Sequence, residues 1–484
     1  MTGEYGRNLI ERRHSNANRE EGRYSRDKTR EKRDRILGGY LRGQLAVITN
    51  FAIYYSLFAP VASALAGISG VGQARFAYSG AVAIFQPIAG VIAERVQIRT
   101  ILIGTFILRA IIWTGLVPAA FLLLGTGMPF LTVFVALMCV DGTVVSIGSL
   151  VDIDEGGVDL LAQQHGFKVD DALRNRYNAL YEGFSSISRI VMAPLMAMIG
   201  LVAAGFLQSA TAALVIVMAL SFILPASAAC YYYLRYIPSE TITKECQLQR
   251  TVGGEFVDIS INLCMGVKLA WSEKRVRWRI LFNGAERAIE DSMLLVVSAA
   301  FAMEILAPDN APLGAFYTAV LIAFGKLGGI AAAWTMHKHW HAPVTDAKKL
   351  SRYKIFFPLA LGGTLATALM PVAALTSVSS PLGSAGLAGL SVLLFNLQFT
   401  ASALGFRNLM QGMVSDAGAS GRLLGIQGTF IMGISAVTIL GLSTLFATVD
   451  LITALVITSI VYVSYGIVQF FMGPTLLFPE ECKG

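Results

Sequence analysis

Charge is scarce in this chain. Asp, Glu, Lys and Arg make up 14% of its 484 residues, against about 25% in a soluble globular protein, and mean hydropathy is +0.62. With 55% hydrophobic residues gathered in long runs, that deficit places the chain among integral membrane proteins. Cysteine is sparse too. Cys139, Cys230, Cys246, Cys264 and Cys482 are scattered without a CxxC pair, which excludes a disulfide framework or a cysteine zinc site. No Walker loop, kinase signature or Ser/His/Asp arrangement occurs, so the chain reads as no enzyme, no ATP-driven pump and no cofactor carrier. The net charge of +7 invites nucleic acid as a partner. The basic residues lie between apolar runs rather than in an aromatic-rich patch, and the positive-inside rule accounts for them.

What is present is hydrophobic length. A membrane-crossing helix needs about 20 mostly apolar residues. Twelve such runs can be counted, at 44–67, 76–93, 100–124, 128–150, 186–206, 210–234, 281–304, 313–336, 355–376, 383–405, 424–447 and 450–473. Nothing with a strand period competes. The expected fold is an all-α membrane protein of twelve transmembrane helices in two six-helix halves, 43–235 and 281–475. Residues 236–280 form a cytoplasmic linker whose 255–278 stretch suits an interfacial helix, and 476–484 form a short cytoplasmic tail. The first 42 residues carry twelve Lys/Arg and seven Asp/Glu without the apolar core of a signal peptide, and read as a disordered cytoplasmic tail. The odd-to-even connections hold one basic residue, Arg75, and the even-to-odd connections hold the rest. This asymmetry puts both termini in the cytoplasm of a multi-pass protein, expected in the cell (inner) membrane.

After the second run comes "GVIAERVQIRTIL", 90–102. It resembles the loop signature of the major facilitator superfamily. Gly90 allows close helix approach, Glu94 suits a helix N-terminus, and Arg95 and Arg99 anchor the turn. Gln97 and Ile98 depart from the pattern. "LRNRYNALYEGFSSISRIVMAPLMA", 173–197, and "MVSDAGASGRLLGIQGTFIMGI", 413–434, look like the openings of spans five and eleven in exporter branches. "GSLVDIDEGGVDLL", 148–161, is similar to the stretch after span four of bacterial ferroportins. The resemblance implies a secondary active transporter working by alternating access. It further implies export of a divalent metal, iron, coupled to protons and through a seventh span broken around its site, for which Gly284 is suited. Ferroportins carry an acid in span one and Cys or His in spans seven and eleven. Here Asn50 and Gln44 occupy span one, and span eleven has no His or Cys. Proton-coupled export of a siderophore, drug or other small organic solute is therefore the alternative.

Charges inside the runs single themselves out, because each costs at least ~2.5–3.5 kcal/mol at mid-bilayer. Arg109 and Asp141 lie at similar depths, ~15 and ~14 Å from the cytoplasmic side at 1.5 Å per residue. They suit an ion pair, either purely structural or one in which Asp141 titrates or binds solute. "ERAIED", 286–291, opens the seventh run. Arg287 and Asp291 are spaced i, i+4 and share a face. Glu286 suits the helix mouth, and Glu290 and Asp291 lie deeper, level with Lys326 of span eight. These three form an expected proton-linked site that mirrors the first pair. His337 and His341, spaced i, i+4, suit either a metal or an interfacial anchor. Gly325 and Gly329 form a GxxxG packing motif. A reporter fused after Gly484 is expected to read as cytoplasmic, and one inserted near Asn310 as external. The opposite signal at either point sinks this topology.

Overall fold

The computed structural model describes residues 3–125, 127–149, 151–152, 157–167, 169, 171–207, 209–239, 264, 267–268, 271–272, 274–308, 310–339, 354–416 and 420–477. Side chains are described for most of these, but not for 3–29, 336–339 and 405–424, nor for several single positions. Among the described residues no strand occurs. Ten helices among the described residues are long and apolar enough to cross a membrane. Two charged ones complete the set of twelve: residues 68–95, and the seventh span beginning at Lys274–Ser292.

The first two spans are one element, Gly3–Arg95, kinked at Ala66 and Gly67. Gly67 adopts φ 63° and ψ −162°, a conformation that side-chain-bearing residues avoid, so the turn falls there. The third span joins Ile98–Ala110, a π-helical turn Ile111–Leu116 and Val117–Leu124. The fourth is Met128–Ser149, followed by a short helix Gly157–His165. Asp171–Leu207 and Ala210–Tyr236 are the fifth and sixth. The seventh continues past Ser292 through π turns Met293–Val297 and Ala302–Leu306. The eighth is Ala311–His339, and the ninth is split into Phe356–Ala366 and Leu369–Thr376. Pro381–Asp416, Ser420–Thr448 and Leu451–Leu477 are the last three.

Spans six, eight, ten and twelve all begin at the face opposite the termini, and each has a side-chain cap. Ser209, Asn310, Ser380 and Asp450 accept from the backbone N–H of Ala212, Leu313, Gly383 and Thr453. The caps satisfy N–H groups that a helix leaves orphaned, and they allow turns of only a few residues. Hydrogen bonds from the Thr453 hydroxyl and then its N–H hold the Asp450 carboxyl below the usual carboxylate range.

Three sequence expectations need correction. The tail does not stay unstructured to residue 42. The helix runs back through it, and Ile36, Leu37 and Tyr40 are buried on the core, a narrow apolar face hidden among its charges. Arg75 is not in an outer loop, because the second span begins soon after Gly67 and Arg75 is 1% exposed. The connections on the face opposite the termini therefore carry no basic residue. Gly284 does not break span seven. A Cβ there would lie 2.7 Å from Ile434 Cδ1 of span eleven, so its smallness serves packing. The irregularity falls just beyond the charges instead, at Met293–Val297.

The halves meet along two seams. Span two lies on span eleven from Gly72 beside Ser443 to Gly425, where a Cβ would stand 2.9 Å from the Gln86 carbonyl oxygen and 3.5 Å from Gly90 Cα. Span five lies on span eight through Ala193, Ala197 and Ala319 and through Gly329 beside Ser186. Small residues are what let helices approach closely in a membrane. The GxxxG divides its labour: Gly325 faces Asn396 and Val392 of span ten, whereas Gly329 faces span five. Replacing Gly425 by Val is expected to destabilise the protein by about 1–3 kcal/mol, because the Gln86 backbone cannot yield to the added carbons. Unchanged thermal unfolding in detergent would remove this seam from the argument.

Candidate functional site

Arg109 and Asp141 meet. Arg109 Nε and Nη2 donate to the two Asp141 carboxylate oxygens at 2.8 and 3.1 Å, and the side chains are 1% and 0% exposed. The guanidinium also lies over the Phe51 and Phe222 rings, 4.9 and 5.3 Å from their centroids. A bidentate fork clamped between aromatic faces suits Arg and not Lys. Asn50 donates to the Phe222 carbonyl at 3.4 Å. It therefore supports the wall of this pair and is not among the residues lining the larger cavity.

The second cluster is wider than the sequence suggested. Lys326 Nζ donates to Glu290 at 2.9 Å, and Arg287 Nη1 reaches the other Glu290 oxygen at 3.1 Å. Asp291 does not join Lys326. It accepts from Arg75 Nη2 at 3.1 Å and from Ser435 at 3.2 Å, with Arg287 Nε 3.5 Å away. The Arg75–Asp291 pair is buried, at 1% and 3% exposure, and joins span two of the first half to span seven of the second. Glu286 is not at a helix mouth. The helix starts at Lys274 rather than near 281, so Glu286 is buried between Arg279, at 3.4 Å, and Gln469 of span twelve.

Between the halves lies a cavity of ≈ 120 Å³, room for several waters where about 10–15 Å³ suffices for one. The first half contributes Arg75, Tyr78, Asp152, Glu182 and Arg189, and the second Arg287, Glu290, Lys326 and Gln427. Ser149, Asp152 and Gln427 stand near helix ends on the termini side, so the cavity lies toward that face. A narrower space of ≈ 10 Å³ lies against Arg109, and it shares Phe51, Val145, Ser149 and Asp152 with the cavity.

Sequence reasoning missed Arg75, Glu182, Arg189, Arg279 and Asp152. For Arg75 a one-residue boundary hid the signal. Arg189 was visible as the sole charge within 186–206, and the logic applied to Arg109 would have found it.

The loop signature divides. Gly90 is buried on span eleven. Arg99 donates to the Ile237 carbonyl at 3.2 Å, capping the end of span six. The Glu94 and Arg95 side chains lie outside the described residues. Where Gln97 and Ile98 depart from the pattern, Gln164 of the short helix bridges the turn. Its amide accepts from Ile98 N–H and donates to the Val96 carbonyl, both at 3.0 Å. Asp159 on the same helix is gripped by Arg174 at 2.8 and 3.0 Å. The side chain of His337 and all of His341 lie outside the described residues. Among the described residues no three of His, Cys, Asp or Glu converge as a metal site.

Removing either Arg109 or Asp141 alone strands a buried charge and is expected to cost about 3–5 kcal/mol. The double substitution Arg109→Met/Asp141→Leu should recover part of that loss. Additive losses in thermal unfolding would show that the two side chains act independently.

No protein-family model matches the chain, and no curated protein matches it by sequence. Solved structures do match. The nucleoside transporter NupG aligns at 15% identity, with 89% of this chain and 97% of that one covered and a TM-score of 0.53. The human organic anion transporter MFSD10 aligns at 12% identity over 91% and 99%, with a TM-score of 0.59. The xylose transporter XylE from E. coli, in a partially occluded inward-open conformation, gives the same four values. At these identities the likeness is one of architecture: the chain has the twelve-helix fold of the major facilitator transporters.

Proposed function

We propose that the protein is a secondary active transporter that moves a small organic solute by alternating access, linked to protons. It sits in the cell membrane with both termini in the cytoplasm. The observation that carries this reading is the charged cavity at the meeting of the halves. Its lining comes from both, so relative movement of the halves changes the site as it changes access. The solved structures that share the fold are named as carriers of a nucleoside, organic anions and xylose.

The cavity chemistry favours an organic solute over the divalent metal that the ferroportin resemblance implies. A hard or borderline cation needs several acid, His or Cys ligands free to turn toward it. Here Glu290 is held by Lys326 and Arg287, and Asp291 by Arg75 and Arg287. Four positive side chains in the lining stand against three acids, Asp152, Glu182 and Glu290, so the cavity carries no net negative charge to draw a divalent cation. Proton linkage rests on Glu290 and Asp291, acids whose neutralisation would loosen the ties of span seven to spans eight and two.

The test is flux in sealed vesicles of purified protein with a pH-sensitive dye inside, over a panel of nucleosides, sugars, organic acids and amines. At least one solute class should move protons, and Asp291→Asn should cut that movement at least tenfold while the protein stays folded. Normal flux in Asp291→Asn would leave the acid a structural part. The absence of flux for every solute would remove the transporter reading.

A further inference from the structure

The two signs of charge in the cavity are not equivalent. Arg75, Arg189, Arg287 and Lys326 face Asp152, Glu182 and Glu290, with Asp291 behind Arg75 and Arg287. Three of the four cations are guanidinium groups, which keep their proton inside proteins. Every acid, by contrast, can give its place to another carboxylate. The positive side of the site is fixed and the negative side is exchangeable.

An entering cation would have to draw an acid away from partners that remain charged. Glu290 has two cations within 3.1 Å, so even a neutral Lys326 would leave it tied to Arg287. An entering anion meets the opposite situation. The Lys326 ammonium has three donors, and Glu290 accepts one of them. A guanidinium presents five donors in a fork that matches carboxylate and phosphate. Phe51, Tyr78 and Tyr181 line the same space, so aromatic carbon is at hand for the body of a solute. At ≈ 120 Å³ the cavity suits a small solute rather than a drug-sized one, whose sites run ~300–1,000 Å³.

We infer that the solute is a small organic anion whose carboxylate or phosphate seats on Lys326 and Arg287 in exchange for Glu290, its body lying against Tyr78 and Tyr181. The inference rests on the transporter reading of this cavity and names the solute class for it. Lys326 and Arg287 then act as specificity residues, and Glu290 is the resident stand-in for the acid group of the solute.

A shape-matched series tests this on full-length protein in lipid nanodiscs: benzoate, phenyl phosphate, benzyl alcohol and benzylamine, with binding measured by calorimetry. One or both acids should bind at least tenfold more tightly than the alcohol and the amine, and the stronger of the two identifies carboxylate or phosphate. In the double variant Lys326→Gln/Glu290→Gln, which keeps a neutral hydrogen-bonding pair, affinity for the acid should fall at least tenfold while that for the alcohol holds. A single variant, Arg287→Gln, should weaken the acid in the same direction should the double variant fail to fold. Amine or alcohol binding as tight as that of the acids overturns the inference, as does failure of both acids to bind, or acid affinity unchanged in the variants. Vesicle flux separates the two readings. Acids that bind without crossing would sink transport and keep the anion site, whereas a neutral solute that crosses with no preference for acids would keep transport and sink the anion site.

Discussion

A guanidinium inside a membrane must find a carboxylate, and much of the arrangement of this protein follows from that requirement. Arg75, Arg109 and Arg279 are each about 1% exposed, and each is matched to an acid, Asp291, Asp141 and Glu286 respectively. Leaving one unmatched would cost several kcal/mol, so helix positions are fixed by the pairs as firmly as by packing. The pairs differ in what they join. Arg109 and Asp141 bind spans three and four within the first half. Arg279 and Glu286 lie on one helix of the second. Arg75 and Asp291 alone of these three bridge the halves, and Arg75 lines the cavity there.

Close backbone approach is the second constraint. Gly425 on Gln86 and Gly90, and Gly329 on Ser186, leave little but backbone and short side chains at the seams. Such interfaces hold by surface fit, with few directional bonds to break when one half tilts on the other. In the proposed alternating-access cycle two tasks would be separate: the seams would guide relative motion, and the bridging ion pairs would bias which position is held.

The overall architecture was legible in the sequence because hydrophobic length and loop charge are strong, local signals. Arg109 and Asp141 were legible for the same reason, each being a conspicuous charge in an apolar run. Arg75 was not, since a span boundary set one residue too late turned a buried arginine into a loop residue. Glu286 was misplaced because "KRVRWR" reads as a charged linker, although Lys274 onward is already helix. The pairing of Arg75 with Asp291 was beyond sequence patterning. It depends on how the halves are rotated against each other, which no spacing within either half encodes.

The π turns give the charged spans a property that their packing alone would not. Each holds one residue more than an α-helical turn, and one residue of α-helix is about 100° of rotation. Ile111–Leu116 follows Arg109, and Met293–Val297 follows Asp291, so in both spans the extra residue separates the charged part from the part beyond it. The two parts are thereby set in phase independently. Migration of the bulge by a turn would swing a different side chain into the interior while the rest of the span stayed in its groove. A helix of this kind can change what it shows to the interior by twisting locally, with no need to tilt or slide as a whole.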